Sequence, residues 1–430
     1  MEEKPSVLVW ISADDGRVDE TRELCSSAGY DIISEVRQTR SSPEKRSYLG
    51  PGKLEEVAEI EGVEYLITPS DLDPSQVFRM GKVTGLKVVD RIRVVLDLFR
   101  SRATSPEARL QVELADLRYQ LPILKEYIHQ GTLSDRPGFL AGGEYRVDYY
   151  YEMANRRIAH IKEQLRIQRK RRGMTRALRK RRGLHLVAVA GYTNAGKSTL
   201  MNRIADADMP DKSVDTANRM FTTIATSTRK MKGKRDCIVT DTVGFIRDLP
   251  PWLVEGFMST LEEVFEADIV LLLLDVSERR ETAARKAADS LSILRKGNCR
   301  GKIFLVMNKI DKVPAEEPFD PESDLDPDLA TMLDEKVRVS AAEEVGIEVL
   351  LDIIDDLLPP LAGVEIRIPI QRLTKDLLSM IRKVSNSMNV RYTGTEAVIE
   401  CSLEERWVGS VAKNVDSHDG RLVRTPETSE

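Results

Sequence analysis

The 430-residue sequence predicts an α/β protein in three parts. A small parallel α/β domain runs into an antiparallel helical hairpin. A central α/β domain with a mixed, mainly parallel sheet follows, and a small α+β unit comes last. Three observations carry this. Apolar, β-branched runs at 7–11, 30–36, 64–68 and 86–89 alternate with helix-like stretches at 18–27, 53–60, 76–82 and 92–102, the pattern of strands joined by crossover helices. Residues 107–165 instead space their apolar side chains by three and four, a helical period. From residue 184, strand-like runs recur at 186–191, 237–240, 268–275 and 302–307. The expected divisions are 1–104, 105–183, 184–360 and 361–413, with 414–430 as a disordered tail.

Composition narrows the class. A hydrophobic share of 41% supports true cores and excludes global disorder. The net charge of −5 hides an asymmetry: residues 1–183 hold 33 Lys and Arg against 28 Asp and Glu, the remainder 32 against 42. A basic N-terminal part joined to an acidic remainder suggests that only one end approaches a polyanion. Cys25, Cys237, Cys299 and Cys401 are far apart, which fits free thiols in a reducing compartment. No signal core precedes residue 20 and the longest apolar run, 269–274, is far below a membrane span. A soluble, cytoplasmic, monomeric protein with no membrane partner is expected.

In the first domain, the loop Tyr48-Leu49-Gly50-Pro51-Gly52-Lys53 places a lysine at a helix start. It reads either as an anion site or as a turn. In the hairpin, Leu110, Leu114, Leu117, Leu121, Leu124 and Ile128 form one stripe, and Val147, Tyr151, Ala154, Ile158, Ile161 and Leu165 form its match. Pro122 should kink the first helix or weaken one turn. The glycine-rich tip at 131–144 reads as a binding tip or a surface loop. Residues 156–182 hold thirteen Lys or Arg and one acid, Glu163. Such a run predicts salt-sensitive phosphate contacts with RNA or DNA.

The central domain carries the chemistry. Gly191-Tyr192-Thr193-Asn194-Ala195-Gly196-Lys197-Ser198-Thr199 follows a strand and opens a helix, and its Gly-x4-Gly-Lys-Ser spacing fits a phosphate-binding loop. Gly196 lets backbone N–H groups turn toward phosphate oxygens at a helix N-terminus. Lys197 can reach the β- and γ-phosphates, and Ser198 can ligate Mg²⁺. Asp241-Thr242-Val243-Gly244 then ends a strand, with Asp241 on the Mg²⁺ side and the Gly244 N–H facing the γ-phosphate. Asn308-Lys309-Ile310-Asp311 follows a further strand. The Asp311 carboxylate can accept from guanine N1 and N2, where adenine offers no such donor pair. Asn308 braces the loop, and the Lys309 stem can lie along the ring. Ser340-Ala341 supplies a backbone donor near guanine O6. Together these favour GTP over ATP.

The ordered set of that loop, Phe221-Thr222-Thr223, Asp241-Thr242-Val243-Gly244-Phe245-Ile246-Arg247-Asp248-Leu249-Pro250 and Asn308-Lys309-Ile310-Asp311 resembles the HflX-type translational GTPases. So do Leu49–Glu56, Gln111–Ala115, Leu117–Pro122 and Gly138–Glu144, so the likeness spans roughly residues 5–413. The resemblance implies a phosphate-loop GTPase with GTP or GDP and Mg²⁺, the metal held by Ser198, Thr223 and Asp241, with Thr222 as the fallback for Thr223. It implies binding to the large (50S) ribosomal subunit, with rRNA contacts through the hairpin and the basic helix 156–182, and splitting or rescue of ribosomes. Phe245 stands where Ras-like enzymes carry a water-positioning glutamine, so slow intrinsic hydrolysis is expected. Two segments depart from the family: the tip reads Ala141-Gly142-Gly143-Glu144-Tyr145-Arg146, and Ala225-Thr226 replaces Asp-Pro. The alternative is a guanine-nucleotide-regulated module that binds another RNA or DNA, its hydrolysis incidental.

Residues 316–335 are acidic and proline-containing and read as an exposed insertion. Alternation at Val364, Ile366 and Ile368, a helix pattern at 373–385 and strands near 389–392 and 397–401 mark the last unit.

Overall fold

The computed structural model describes residues 4–103, 105–134, 141–181, 183–206, 228–233, 237–241, 244–245, 252–253, 261–313 and 319–425. The chain divides into two compact units. The first carries the residues up to Arg171 with the described residues of 242–262; the second begins at Arg172 and holds the remaining sheets.

In the first unit, β1 (Lys4–Ile11), β2 (Tyr30–Gln38), β3 (Tyr65–Ile67) and β4 (Lys87–Val89) form a parallel sheet in the order β2-β1-β3-β4. The crossovers run through α1 (Val18–Ala28), α2 (Pro51–Ala58) and α3 (Pro74–Thr84), and α4 (Arg91–Arg102) follows β4. The apolar run of β1 is explained by its two buried faces. Leu8 and Trp10 join Leu24, Val94 and Phe99 in one core, while Val7, Val9 and Ile11 join Leu54, Val57 and Met80 in another. Side chains alternate along a strand, so a strand covered on both sides must be apolar throughout.

Helices α5 (Pro106–Ser134) and α6 (Ala141–Arg181) form the hairpin. Ala108, Val112 and Ala115 root α5 in the core of α1 and α4. Arg157 donates twice to Glu113, at 2.6 and 2.8 Å, pairing a mid-α6 position with an early α5 position as an antiparallel hairpin requires. α5 runs through Pro122 without ending. The loop at 48–53 does not keep the groups an anion site needs. The Gly50 N–H donates to Gln38 Oε1 at 2.9 Å and Lys53 pairs with Glu56 at 2.6 Å, which favours the turn.

Asp90 caps α4, accepting from the N–H groups of Arg93 (2.8 Å) and Leu72 (3.2 Å) and from the Tyr119 hydroxyl (2.8 Å). Burial pushes its carboxyl up from 3.8 to about 6 against these three donors. A raised folded-state pKa means stability that is fully present below the unfolded value and lost as pH rises through the folded one. Between pH 4 and 7 this amounts to about 2 kcal/mol. Asp90→Asn keeps an acceptor for Arg93 and Tyr119, gives up the bond from Leu72, and should remove that pH-dependent loss. Denaturant midpoints at pH 5 and 7.5 should show the variant gaining on wild type at the higher pH; an equal offset at both would mean Asp90 does not titrate.

In the second unit, β5 (His185–Gly191), β6 (Thr228–Lys230), β7 (Cys237–Asp241), β8 (Ile269–Asp275), β9 (Lys302–Asn308) and β10 (Glu335–Arg338) form a six-stranded sheet in the order β10-β9-β8-β5-β7-β6. All pairs are parallel except β6 with β7. Every residue of β5 and β8 is buried. Helices α7 (Lys197–Ile204), α8 (Arg280–Lys296) and α9 (Ile347–Leu357) accompany this sheet. This is the α/β, mainly parallel class expected.

The last sheet is antiparallel, ordered β12-β13-β11-β14, from β11 (Leu361–Pro369), β12 (Ser385–Thr393), β13 (Glu396–Glu404) and β14 (Arg421–Arg424). Helices α10 (Lys375–Val384) and α11 (Glu405–Asp416) contribute Leu377, Ile381, Val408, Val411 and Val415 to its core. Two expectations need correction. The supposed tail is structured through residue 425: α11 continues to Asp416, and β14 pairs antiparallel with β11, Ile366 opposite Leu422. Its order comes from hydrogen bonds to a distant strand, which a short polar stretch does not announce. The acidic segment before β10 is also partly buried, with Phe319 2% and Leu325 6% exposed. Its acids cap short helices, Asp320 at Pro321–Asp324 and Asp326 at Pro327–Ala330. Among the described residues, no helix is long and apolar enough to cross a membrane.

Candidate functional site

The phosphate-loop residues, Asp241 and the Asn308–Asp311 segment sit at the carboxyl ends of β5, β7 and β9, beside Ser340 and Ala341 after β10. Ligands of parallel α/β sheets bind in that position. Gly191, Asn194 and Gly196 have φ of 137°, 63° and 91°, so the loop turns sharply before α7. Glycine is required twice. A Cβ on Gly191 would meet the Leu273 carbonyl oxygen at 2.3 Å, and one on Gly196 would meet Asn308 Nδ2 at 2.2 Å.

Asn308 is the strap of the site. Its Nδ2 donates to the Ala195 carbonyl at 2.8 Å, and its Oδ1 accepts from the Ala341 N–H at 3.0 Å. One buried amide thus ties the phosphate loop to the segment after β10. Lys309 adopts φ 67° and pairs with Asp275 Oδ2 at 2.6 Å. Asp275 also accepts from the Ser277 N–H and hydroxyl, at 3.0 and 2.6 Å. Ser340 donates to Asp311 Oδ1 at 2.6 Å, which aims an otherwise exposed carboxylate.

Lys197 is 8% exposed, and its Nζ donates to the Tyr192 carbonyl at 2.6 Å. Burial lowers its pKa from 10.5 to about 8, against the charge of Asp241. The Ser198 hydroxyl donates to Asp241 Oδ2 at 3.1 Å. A hydroxyl beside a fully buried carboxylate is a hard-oxygen donor set that fits Mg²⁺ shared with phosphate oxygens. Among the described residues no three His, Cys, Asp or Glu converge, so nothing competes as a separate metal cage. Tyr192 is nearly buried, its hydroxyl donating to Asp289 at 3.1 Å with Lys286 over its ring. Thr193 and Thr199 are half-buried in the same loop and helix, and Ile310 is half-buried after Lys309.

Phe221, Thr222, Thr223, Thr242 and Val243 lie outside the described residues, so the structure does not test them. Gly244 and Phe245 are buried. Two residues were missed in the sequence. Asp275 ends a buried strand as Asp241 does, and that parallel could have flagged it. Arg203, donating to the carbonyls of Ala341 at 3.2 Å and Ala342 at 3.1 Å, carries no local signal. The arrangement can hold a phosphate chain at the loop, a divalent cation beside it, and a flat base with two adjacent donors at Asp311.

Comparison with known proteins agrees with this geometry. Residues 15–100 match the family model described as "GTP-binding GTPase N-terminal", 102–179 "GTP-binding GTPase Middle Region", and 186–309 "50S ribosome-binding GTPase". A GTPase HflX of Thermococcus kodakarensis is 38% identical, covering 92% of this chain and 90% of its own. One of Methanocaldococcus jannaschii is 36% identical, covering 78% and 82%. Among solved structures, a complex titled "SsGBP and GDP" is similar at 25% identity and TM-score 0.50, covering 82% of this chain and 98% of its own.

Proposed function

Because the chain belongs to the HflX family of GTPases and is itself a GTPase, we propose that its turnover is coupled to the large (50S) ribosomal subunit, in splitting or rescue of ribosomes. The observation that carries this reading is the pairing of a GTP site with a helix, α6, whose residues 156–181 hold twelve cations and one acid. That surface suits rRNA phosphates, and the family match at 186–309 bears the description of a 50S-binding GTPase.

In this reading the N–H groups of Gly191–Thr199 cradle the β- and γ-phosphates, and Lys197 neutralises charge that grows on them. Asp311 accepts from guanine N1 and N2, Asn308 holds its own loop and the phosphate loop in register, and Lys309 lies along the base. The backbone donor expected near O6 is corrected: the Ala341 N–H is given to Asn308 Oδ1 and the Ser340 N–H to the Val345 carbonyl. Ser198, Thr223 and Asp241 would hold Mg²⁺, which would supply positive charge beside the phosphates. Phe245 offers no group to orient the attacking water, so the protein alone hydrolyses slowly and waits for a partner.

GTP turnover measured with and without purified 50S subunits, at low and moderate salt, tests this. Stimulation of roughly 10²-fold or more is expected, because supplying a missing water-positioning or charge-stabilising group has effects of that size or larger. It should fall steeply with salt. Fast turnover by the protein alone, or unchanged turnover with 50S, would sink the ribosomal reading and leave a guanine-nucleotide switch acting on another nucleic acid.

A further inference from the structure

The last α+β unit contains a groove that neither the GTP site nor the basic hairpin accounts for. It lies between α10 and the edge strand β12, has a volume of about 410 Å³ and opens to solvent. Met388 and Val390 form an apolar floor, half-buried, on the face of β12 that looks toward α10. Tyr392, two residues on and on the same face, is 63% exposed, unusual for so large a ring. On the helical wall, Lys375, Ser379 and Arg382 recur at four and three residues, so they form one stripe over that floor. Seven residues of α-helix separate the two cations by about 10 Å along the axis. Among the described residues neither Lys375 nor Arg382 makes an ion pair, although most arginines of this unit do. No carboxylate lines the groove. Along its outer side β12 pairs with no other described strand, since its partner is β13 alone.

We propose that this groove binds a single-stranded RNA segment, with successive phosphates on Lys375 and Arg382 and a base against Tyr392 and the Met388–Val390 floor. Two spaced cations at the rim of an apolar floor with an exposed aromatic match a chain that alternates anions with flat rings. An acidic peptide would satisfy the cations but leave the ring and floor without flat partners. The choice of RNA over DNA rests on the ribosomal reading above, and on the Ser379 hydroxyl, which can meet a 2′-OH.

The test uses the full chain and a short oligouridine carrying 4-thiouridine. Photo-crosslinked peptides are mapped by mass spectrometry, so the yield at the β12 peptide gives a binding curve for this groove apart from α6. Crosslinking at 388–392 is expected. It should require roughly tenfold more RNA in Lys375→Ala/Arg382→Ala, with a salt slope shallower by about 1.4. Tyr392→Phe should retain it, and oligo-dT should compete less well than oligouridine. GTP turnover without ribosomes should stay unchanged in every variant, which verifies folding. Crosslinks confined to α6, or a double variant with the wild-type curve, would overturn the groove as an RNA site. Equal competition by oligo-dT would overturn the assignment to RNA, and displacement by polyglutamate but not by oligouridine would replace it with a protein partner. Because naked RNA is the probe, failure here leaves the 50S-stimulation result standing, and the reverse also holds.

Discussion

Lys197→Ala is expected to lower GTP turnover by about 10²–10³-fold, the size of effect seen when one preorganised charge-stabilising group is removed from a transition state. Lys197 is buried against the Tyr192 carbonyl and charge-coupled to Asp241, which fixes its ammonium at the phosphate loop. The variant leaves a small cavity and takes away the cation coupled to the buried Asp241 carboxylate, so a loss of turnover has to be told apart from a loss of folding. Single-turnover hydrolysis with and without 50S subunits, beside a thermal melt, separates these. Retention of a tenth or more of wild-type turnover would remove Lys197 from the chemistry. The same residue sets a pH signature. Burial holds its ammonium down to about 8, and incoming phosphates favour the charged form. Nucleotide binding near pH 8.5 should therefore take up a proton, and affinity should fall as pH rises through 8. Calorimetry in buffers of different ionisation enthalpy reads this directly, and Lys197→Ala should abolish it.

The second large effect concerns the base. Asp311→Asn should weaken GTP binding by about 10²-fold or more, because each hydrogen bond to a charged acceptor contributes about 1.5–3 kcal/mol and guanine offers two. The substitution should turn preference toward xanthosine triphosphate, whose O2 can accept from the new amide while its N1 donor still meets Oδ1. Structural collapse is not expected, since an asparagine Oδ1 can still accept from Ser340, which now donates to Asp311 Oδ1 at 2.6 Å. Competition of labelled GDP by GTP and by xanthosine triphosphate measures both affinities. An equal loss for the two nucleotides would mean that Asp311 supports the loop and does not read the base.

Much of this site was legible because its chemistry is local. Gly191–Ser198 is one covalent stretch whose spacing and flanking strand and helix are read directly, and the structure leaves those residues contiguous between β5 and α7. The same holds for the alternating faces of β1 and for the apolar runs 186–190 of β5 and 269–274 of β8, where burial on both sides leaves a continuous run. What stayed hidden is non-local. β14 is ordered by hydrogen bonds to β11 more than fifty residues earlier, and no property of 421–424 alone demands it. Phe319 and Leu325 are buried although their neighbours are acidic, because the acids face outward as caps.

By itself, then, the sequence determined the class of fold, the phosphate loop, the preference for guanine and the basic helix, each set by residues within a few positions of one another. Only the tertiary structure decided how those pieces hold one another. Asn308 reaches Ala195 and Ala341, Asp275 reaches Lys309, and Arg203 clasps the carbonyls after β10. His185, at the start of the phosphate-loop strand, is buried against Glu404 at the end of β13 and so joins the central sheet to the last unit. The groove beside Tyr392 likewise exists only once α10 and β12 pack. The reason is common to all of them. A side chain's type is written in one position, but its partner is chosen by chain folding that brings distant positions within about 3 Å, where hydrogen bonds form.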